Sequence, residues 1–288
     1  MNNLNEKQNN HDLLSLLKLQ RYKYNQVSKI STLNFILSVL VPIGISIIGL
    51  FNLSSTTVSY INYIGALCTG VYLWLSFKLK TMKENAAKIQ YVFDVQLFGF
   101  KQNYLICNNS LTELLALSKG EKVQRLKGLE NWYSIKNNLH INDAIFSCQQ
   151  QNIRWDKKLR KYFLSFIIVL GLLSIFTITT IAILNNVEFN ILWSYTFLLM
   201  PIVSYFISFI FSCVDDIKQQ NELNESFNFY KTQKTISIKD LSSLEEKIFQ
   251  YRKGLIKIPN WFFNIFRKFM QKEADDYSEV ESDKYSKQ

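Results

Sequence analysis

The sequence predicts an all-α, polytopic membrane protein in which four transmembrane helices are joined to a helical cytoplasmic bundle formed by the termini and a central insertion. Three observations carry that fold class. From Ile30 through Phe77 there is no Asp, Glu, Lys or Arg, and from Tyr162 through Val214 the only charge is Glu188. Each run exceeds the roughly 20 apolar residues that cross a bilayer core, and each is long enough for two crossings. A polar break interrupts each run, FNLSSTTVSYIN in the first and LNNVEFN in the second. The cations then give the orientation. All 33 Lys and Arg residues fall outside the two runs, with 5 in residues 1–31, 15 in 78–162 and 13 in 214–288. Lys and Arg collect on the cytoplasmic side, so both termini and the central segment are expected there.

Spans are therefore expected near residues 32–53, 58–78, 163–185 and 191–213. They divide the chain into an N-terminal cytoplasmic helix (1–31), a first transmembrane hairpin (32–78), a central cytoplasmic region (79–162), a second hairpin (163–213), C-terminal cytoplasmic helices (214–272) and an acidic, disordered tail (273–288). The first apolar run is longer than the 7–15 or so residues of a secretory signal and follows a helical segment, so it is read as retained.

Outside the spans the pattern is helical almost throughout. In KTMKENAAKIQYVFDVQL, Met82, Ala86, Ile89, Phe93 and Leu97 recur at helical spacing on one face, continuing the second span as one long helix. A break near 98–109 follows, then a short helix in SLTELLALSK, a polar turn at 119–121 and the segment GLENWYSIKNNLH. Helix resumes near Asp143 and runs without Gly or Pro into the third span. Past the fourth span, VDDIKQQNELNESFNFYKTQK extends it again, and SSLEEKIFQYRK opens with a capping-box pattern from Ser242 to Glu245. In IPNWFFNIFRKFMQK, Pro259 suits a first helical turn. Phe262, Ile265, Phe266 and Phe269 then share one face. Such a helix fits either the membrane surface or a cap on the cytoplasmic bundle.

Several function classes are excluded on composition. The net charge of +10 comes from Lys and Arg clustered at span ends, where they satisfy topology and meet anionic headgroups, so no polymeric nucleic acid is expected. Cys68 and Cys213 lie in spans, Cys107 and Cys148 in the central region, and no pair has metal or redox spacing. Only His11 and His140 occur. No nucleophile with its base, Gly-rich phosphate loop or poised carboxylate pair is present, so neither catalysis nor a cofactor nor a metal is expected.

The stretches AAKIQYVFD (86–94), NWY (131–133) and CQQQNIRWDKKLRKY (148–162), with QN…LQRYKYN near the N-terminus and IFQYRKG…IPNWFFNIFRKFM near the C-terminus, resemble the signatures of the SMODS-associating four-transmembrane (S-4TM) putative pore-forming effectors. The resemblance covers most of the chain. The family's central motif usually reads Cys-Gln-Arg-x-Asn-x-x-Trp-Asp-x-x-Leu-Arg; Cys148, Gln149, Asn152, Trp155, Asp156, Leu159 and Arg160 match, and Gln150 replaces the Arg. Asn131 stands where an acidic residue is usual, Ser134 where Pro is usual and Asn260 where Asp is usual. The resemblance implies a bacterial anti-phage effector of the inner membrane, encoded beside a nucleotidyltransferase, triggered by a cyclic oligonucleotide and acting by membrane permeabilisation. The alternative of another class is a non-conducting scaffold or adaptor that recruits a cytoplasmic partner.

Physical constraints sharpen that expectation. Spans without paired ionisable groups offer no proton relay, and four packed helices leave a filled core, so a pore requires a homo-oligomer within membrane lipid. Two faces rich in small residues are candidates for helix packing or pore lining: Ser38, Pro42, Ser46 and Gly49 in the first span, and Pro201, Ser204, Ser208 and Ser212 in the fourth. A cyclic oligonucleotide would be met by cations with aromatic platforms, as around Arg154, Trp155, Lys157 and Arg160. Trp155 fits an interfacial anchor better than a ligand platform. Gln90, Phe93, Asp94, Trp132, Tyr133, Gln149, Asn152, Asp156, Arg252 and Trp261 are read as structural, with Asp94 and Asp156 pairing with Arg160 or Arg252.

Overall fold

The computed structural model describes residues 3–49, 55–120, 129–135, 139–154, 156–184, 196–233, 235–256, 258–259, 261–262 and 264–266. Among the described residues all regular structure is helical. In chain order the elements are α1 (Leu4–Gln8), α2 (His11–Phe35), a π-helical turn (Ile36–Leu40), α3 (Val41–Gly49), α4 (Ser55–Phe98), α5 (Leu111–Gly120), α6 (Ile141–Arg154), α7 (Asp156–Leu184), α8 (Thr196–Lys231) and α9 (Ile238–Gly254). Residues 261–262 and 264–266 are also helical. The expected break at 98–109 precedes α5; of the turn expected at 119–121, Lys119 and Gly120 are the last residues of α5 instead and Glu121 lies outside the described residues, as do the acidic tail and the LNNVEFN break after Leu184.

The chain forms two compact units. The first comprises Met1–Val27, Lys80–Lys157 and Asp215–Leu255; the second comprises Ser28–Leu79, Lys158–Val214 and Ile256–Gln288. From Ile256 onward the chain groups with the second unit, where Ile258, Trp261, Phe262 and Phe266 pack with its core.

The first unit is built from helices with one apolar stripe each. On α2 the buried positions Leu13, Leu16, Leu17, Gln20 and Val27 recur at helical spacing. The expected face of α4 is present, with Ala86, Ile89, Phe93 and Leu97 buried. That helix stops at Gly99, whose φ of +74° is left-handed. Phe100 N–H donates back to the Val95 carbonyl at 3.0 Å and the Phe98 and Phe100 rings meet at 5.6 Å, a Schellman ending that a Cβ-bearing residue would strain. Ser110 and Glu113 cap the start of α5 reciprocally, at 2.9 and 3.2 Å.

The expected capping box of the last cytoplasmic helix is corrected by the structure. The cap is Ser237 with Asp240, and the two bonds of the box are each 3.2 Å. Ser242 and Glu245 lie inside α9 instead. The reason is the stripe Leu241, Leu244, Glu245, Ile248, Phe249 and Arg252, which turns Glu245 into the core.

Among the described residues three helices are long and apolar enough to cross a membrane: His11–Ile48, Leu159–Thr177 and Leu199–Lys231. The second unit's core holds Phe35, Val39, Tyr72, Phe163, Ile167, Tyr205, Phe209 and Phe262, while Leu172, Ile175 and Phe176 on α7 and Leu67 and Phe77 on α4 are largely exposed. Such apolar outer faces suit a lipid solvent. The π turn precedes Pro42, and there Val41 N–H reaches five residues back to the Ile36 carbonyl.

Candidate functional site

The first unit encloses a buried polar cluster that four segments assemble. Asp94 comes from α4, Gln149 from α6, Glu245 and Arg252 from positions two turns apart on α9, and Tyr133 from the loop before α6. Asp94 accepts at 2.6 Å from the Tyr133 hydroxyl on Oδ1, and at 2.6 Å from Arg252 Nη1 on Oδ2. Arg252 Nη1 also lies 3.3 Å from Glu245 Oε1, and Gln149 Nε2 donates to Glu245 Oε2 at 3.0 Å and to the Leu241 carbonyl at 2.9 Å. Asp94, Glu245 and Gln149 are completely buried and Arg252 is 6% exposed.

Two carboxyls thus face one guanidinium in a buried core. Burial, with the Asp94 carboxylate second, pushes the Glu245 carboxyl up to about 8 against the pull of Arg252. For Arg252 burial opposes the charge, but Asp94 and Glu245 outweigh it and raise its proton affinity. Burial, together with Asp94, raises the nearby Cys148 thiol to about 12, which leaves it an inert core residue. The direction of the Glu245 shift favours a protonated carboxyl there and leaves the Arg252 guanidinium to pair with Asp94, so the cluster acts as a structural tie.

Tyr133 reaches this cluster because side-chain amides hold its loop. Gln8 pairs with both backbone groups of Tyr133, accepting from its N–H at 2.9 Å and donating to its carbonyl at 3.2 Å. Gln151 does the same for Ser134 at 3.0 and 2.7 Å. Asn9 exchanges two 2.9 Å bonds with Asn131, whose φ of 54° is a left-handed conformation that short polar side chains reach most readily. Asn5 adds a bond to the Ile135 carbonyl. Gln8 and Gln151 were missed as site residues; the signal was their place inside the stretches QN and CQQQN. Gln8→Ala is expected to cost about 1–3 kcal/mol, because it strands a buried N–H and C=O at Tyr133. Denaturant unfolding of the detergent-solubilised protein measures it.

Of the other residues singled out, Phe93 is buried and stacks on Tyr133 at 6.4 Å, Gln90 accepts from Gln20 at 3.0 Å, and Trp132 packs at the edge of the core. Of the two arginines weighed for Asp94, Arg252 takes it. Arg160 belongs to the second unit, is 3% exposed and donates to the Ile256 carbonyl at 3.0 Å, so it anchors backbone and offers no open cationic face to a ligand. Trp155 lies outside the described residues, as do the side chains of Asn152, Arg154, Asp156 and Lys157.

The two small-residue faces separate. Ser38 and Ser46 are fully buried, bonding to Asn34 Oδ1 and to the Pro42 carbonyl, and Pro42 is buried between them. Asn34 donates in turn to Ser76 at 3.3 Å. Gly49 ends α3. On α8, Pro201 is buried and the Ser204 carbonyl accepts from Tyr72, while Ser208 is exposed and its carbonyl accepts from Ser212. The first face therefore packs within the unit, and Ser208 faces outward.

The profile of the SMODS-associating 4TM effector domain matches residues 2–279, nearly the whole chain. The chain belongs to that family. The family's four-transmembrane description makes this a membrane protein with helical spans. A protein of Bacillus cereus strain VD146 named a probable CBASS effector molecule is 25% identical over 288 residues, covering 94% of each chain. No solved structure matches. In this S-4TM protein the central signatures map onto the cluster just described: AAKIQYVFD carries Asp94, NWY carries Tyr133 and CQQQN carries Gln149.

Proposed function

We propose that this S-4TM protein is a CBASS membrane effector of bacterial anti-phage defence. It permeabilises the inner membrane on oligomerisation when a cyclic oligonucleotide triggers it, and it acts without catalysis. The observation that carries the reading is the effector-domain match over residues 2–279. The relative's name supports the CBASS setting. The single-sided cations support cytoplasmic termini and a cytoplasmic central region, where such a signal would be made.

On this reading α4 supplies the second of four spans. Its 44 residues measure about 66 Å, enough for a crossing and a long extension. Exposed Tyr60 and Tyr63 near one end and Trp74 and Phe77 near the other form two aromatic belts, and Tyr60 to Phe77 covers about 26 Å of axis. Lys78 Nζ lies 5.1 Å from the centre of the Trp74 ring, as in an interfacial anchor. The outward-facing Ser208 is a candidate contact between subunits.

Dye release from liposomes containing the purified protein, with and without a panel of cyclic di- and trinucleotides, tests the proposal. The expected result is release that requires one nucleotide. Folded, inserted protein that releases nothing with any of them would leave a partner-dependent trigger or the non-conducting scaffold in its place.

A further inference from the structure

We propose that the segment following α9, through Ile256, Ile258, Trp261, Phe262 and Phe266, is an autoinhibitory latch: it ties the helices of the second unit together and must release before the membrane is permeabilised. The inference rests on the pore-forming reading above and assigns the contact that keeps the resting protein closed.

The segment leaves α9 at Gly254 and joins the second unit from Ile256 onward. Arg160, at the start of α7, fixes its first residue by donating to the Ile256 carbonyl. Its rings then grip two helices that are far apart in sequence. Trp261 lies 6.3 Å from Phe35 at the end of α2 and 5.7 Å from Phe166 of α7. Phe262, 2% exposed, meets Phe163 edge-on at 4.7 Å and Phe166 at 5.5 Å. Phe266 stacks flat on Tyr162, at 5.5 Å with an 11° interplanar angle.

The gripped rings continue into the remaining helices. Phe35 touches Tyr205 and Phe163 touches Phe209, both on α8, and Tyr205 meets Tyr72 of α4. One aromatic set therefore contains a residue from α2, α4, α7 and α8, and the C-terminal segment closes it. Apart from Glu188 the two long apolar runs carry no charge, so packing, and not an ion-pair gate, holds these helices in register. Ring contacts of this kind are individually modest and break as a group, which suits a two-state closure.

The test uses full-length protein in vesicles of phosphatidylethanolamine and phosphatidylglycerol, with carboxyfluorescein release measured without any nucleotide. Trp261→Ala is expected to release dye several-fold faster than the wild type. A Phe35→Cys, Trp261→Cys pair is expected to leak when unlinked and to fall silent once a short bifunctional thiol reagent joins the two positions; the four native cysteines are buried. A Trp261→Ala protein with native helicity and oligomeric state that leaks no faster than the wild type overturns the latch, as does a linked pair that leaks as much as the unlinked one. If the wild type answers a nucleotide while Trp261→Ala stays quiet without one, the latch falls and the pore stands. If neither protein releases dye under any condition, the pore reading falls and the latch with it.

Discussion

Arg252→Ala is expected to destabilise the first unit by about 3–5 kcal/mol, because it strips the partner from a buried carboxylate and leaves that charge uncompensated. The residue gives a 2.6 Å bond to Asp94 and a 3.3 Å bond to Glu245, both fully buried. Domains are stable by only about 5–15 kcal/mol in total, so the change consumes much of the margin. Denaturant unfolding of the detergent-solubilised full chain measures the effect, and a variant within about 1 kcal/mol of the wild type would be an ordinary surface-like result and would refute the tie. Restoring charge balance should rescue it: Arg252→Met combined with Asp94→Asn and Glu245→Gln replaces ions by neutral groups of similar size, and such swaps are often neutral or stabilising.

The second large effect is on pH dependence. A carboxyl whose proton affinity is raised in the folded state retains its proton after the unfolded chain has released its own. Its contribution is fully present below the ordinary value of 4.5 and is lost as pH rises to about 8. The wild type should therefore lose stability relative to Glu245→Gln across that window. Near pH 4.5 the two should differ little, and at pH 8 the Gln variant should be the more stable by a few kcal/mol. The groups facing Glu245 are Asp94 on α4, Arg252 on its own helix, and Gln149 and Cys148 on α6. Parallel stability curves for the two proteins between pH 5 and 8 would show that Glu245 is ionised throughout and that the charge balance assigned to the cluster is wrong.

The helical class and the long α4 face were legible because periodicity is local: Ala86, Ile89, Phe93 and Leu97 announce their shared stripe within a few turns. The cluster was legible only as a set of residues. Resemblance singled out Asp94, Tyr133, Gln149 and Arg252, but Asp94 and Arg252 are 158 positions apart, and no spacing rule joins them. Arg160 and Arg252 looked equivalent from sequence, and burial in different units separates them. The capping box went to the wrong serine because Ser237-Asp240 and Ser242-Glu245 carry the same pattern. The apolar stripe beginning at Leu241 was the deciding signal, since it places Glu245 on the inward face. The departures at Asn131 and Ser134 cost the loop little. Asn131 still reaches the left-handed backbone and still pairs with Asn9, and Ser134 is held through its backbone. The amide grip of Gln8, Asn9 and Gln151 on that loop acts mostly on backbone groups, which no residue-type motif displays.

The π turn at Ile36–Leu40 bears on the phase of the first span. Asn34, Ser38, Pro42 and Ser46 repeat every four residues. On an uninterrupted α-helix, with about 100° per residue, twelve residues carry such a series roughly 120° off its starting line. The turn absorbs one residue, so the drift shrinks to about 20° and all four positions stay buried on one face. The wide turn is thus the device that converts a period of four, which fits no straight helix, into a single straight seam.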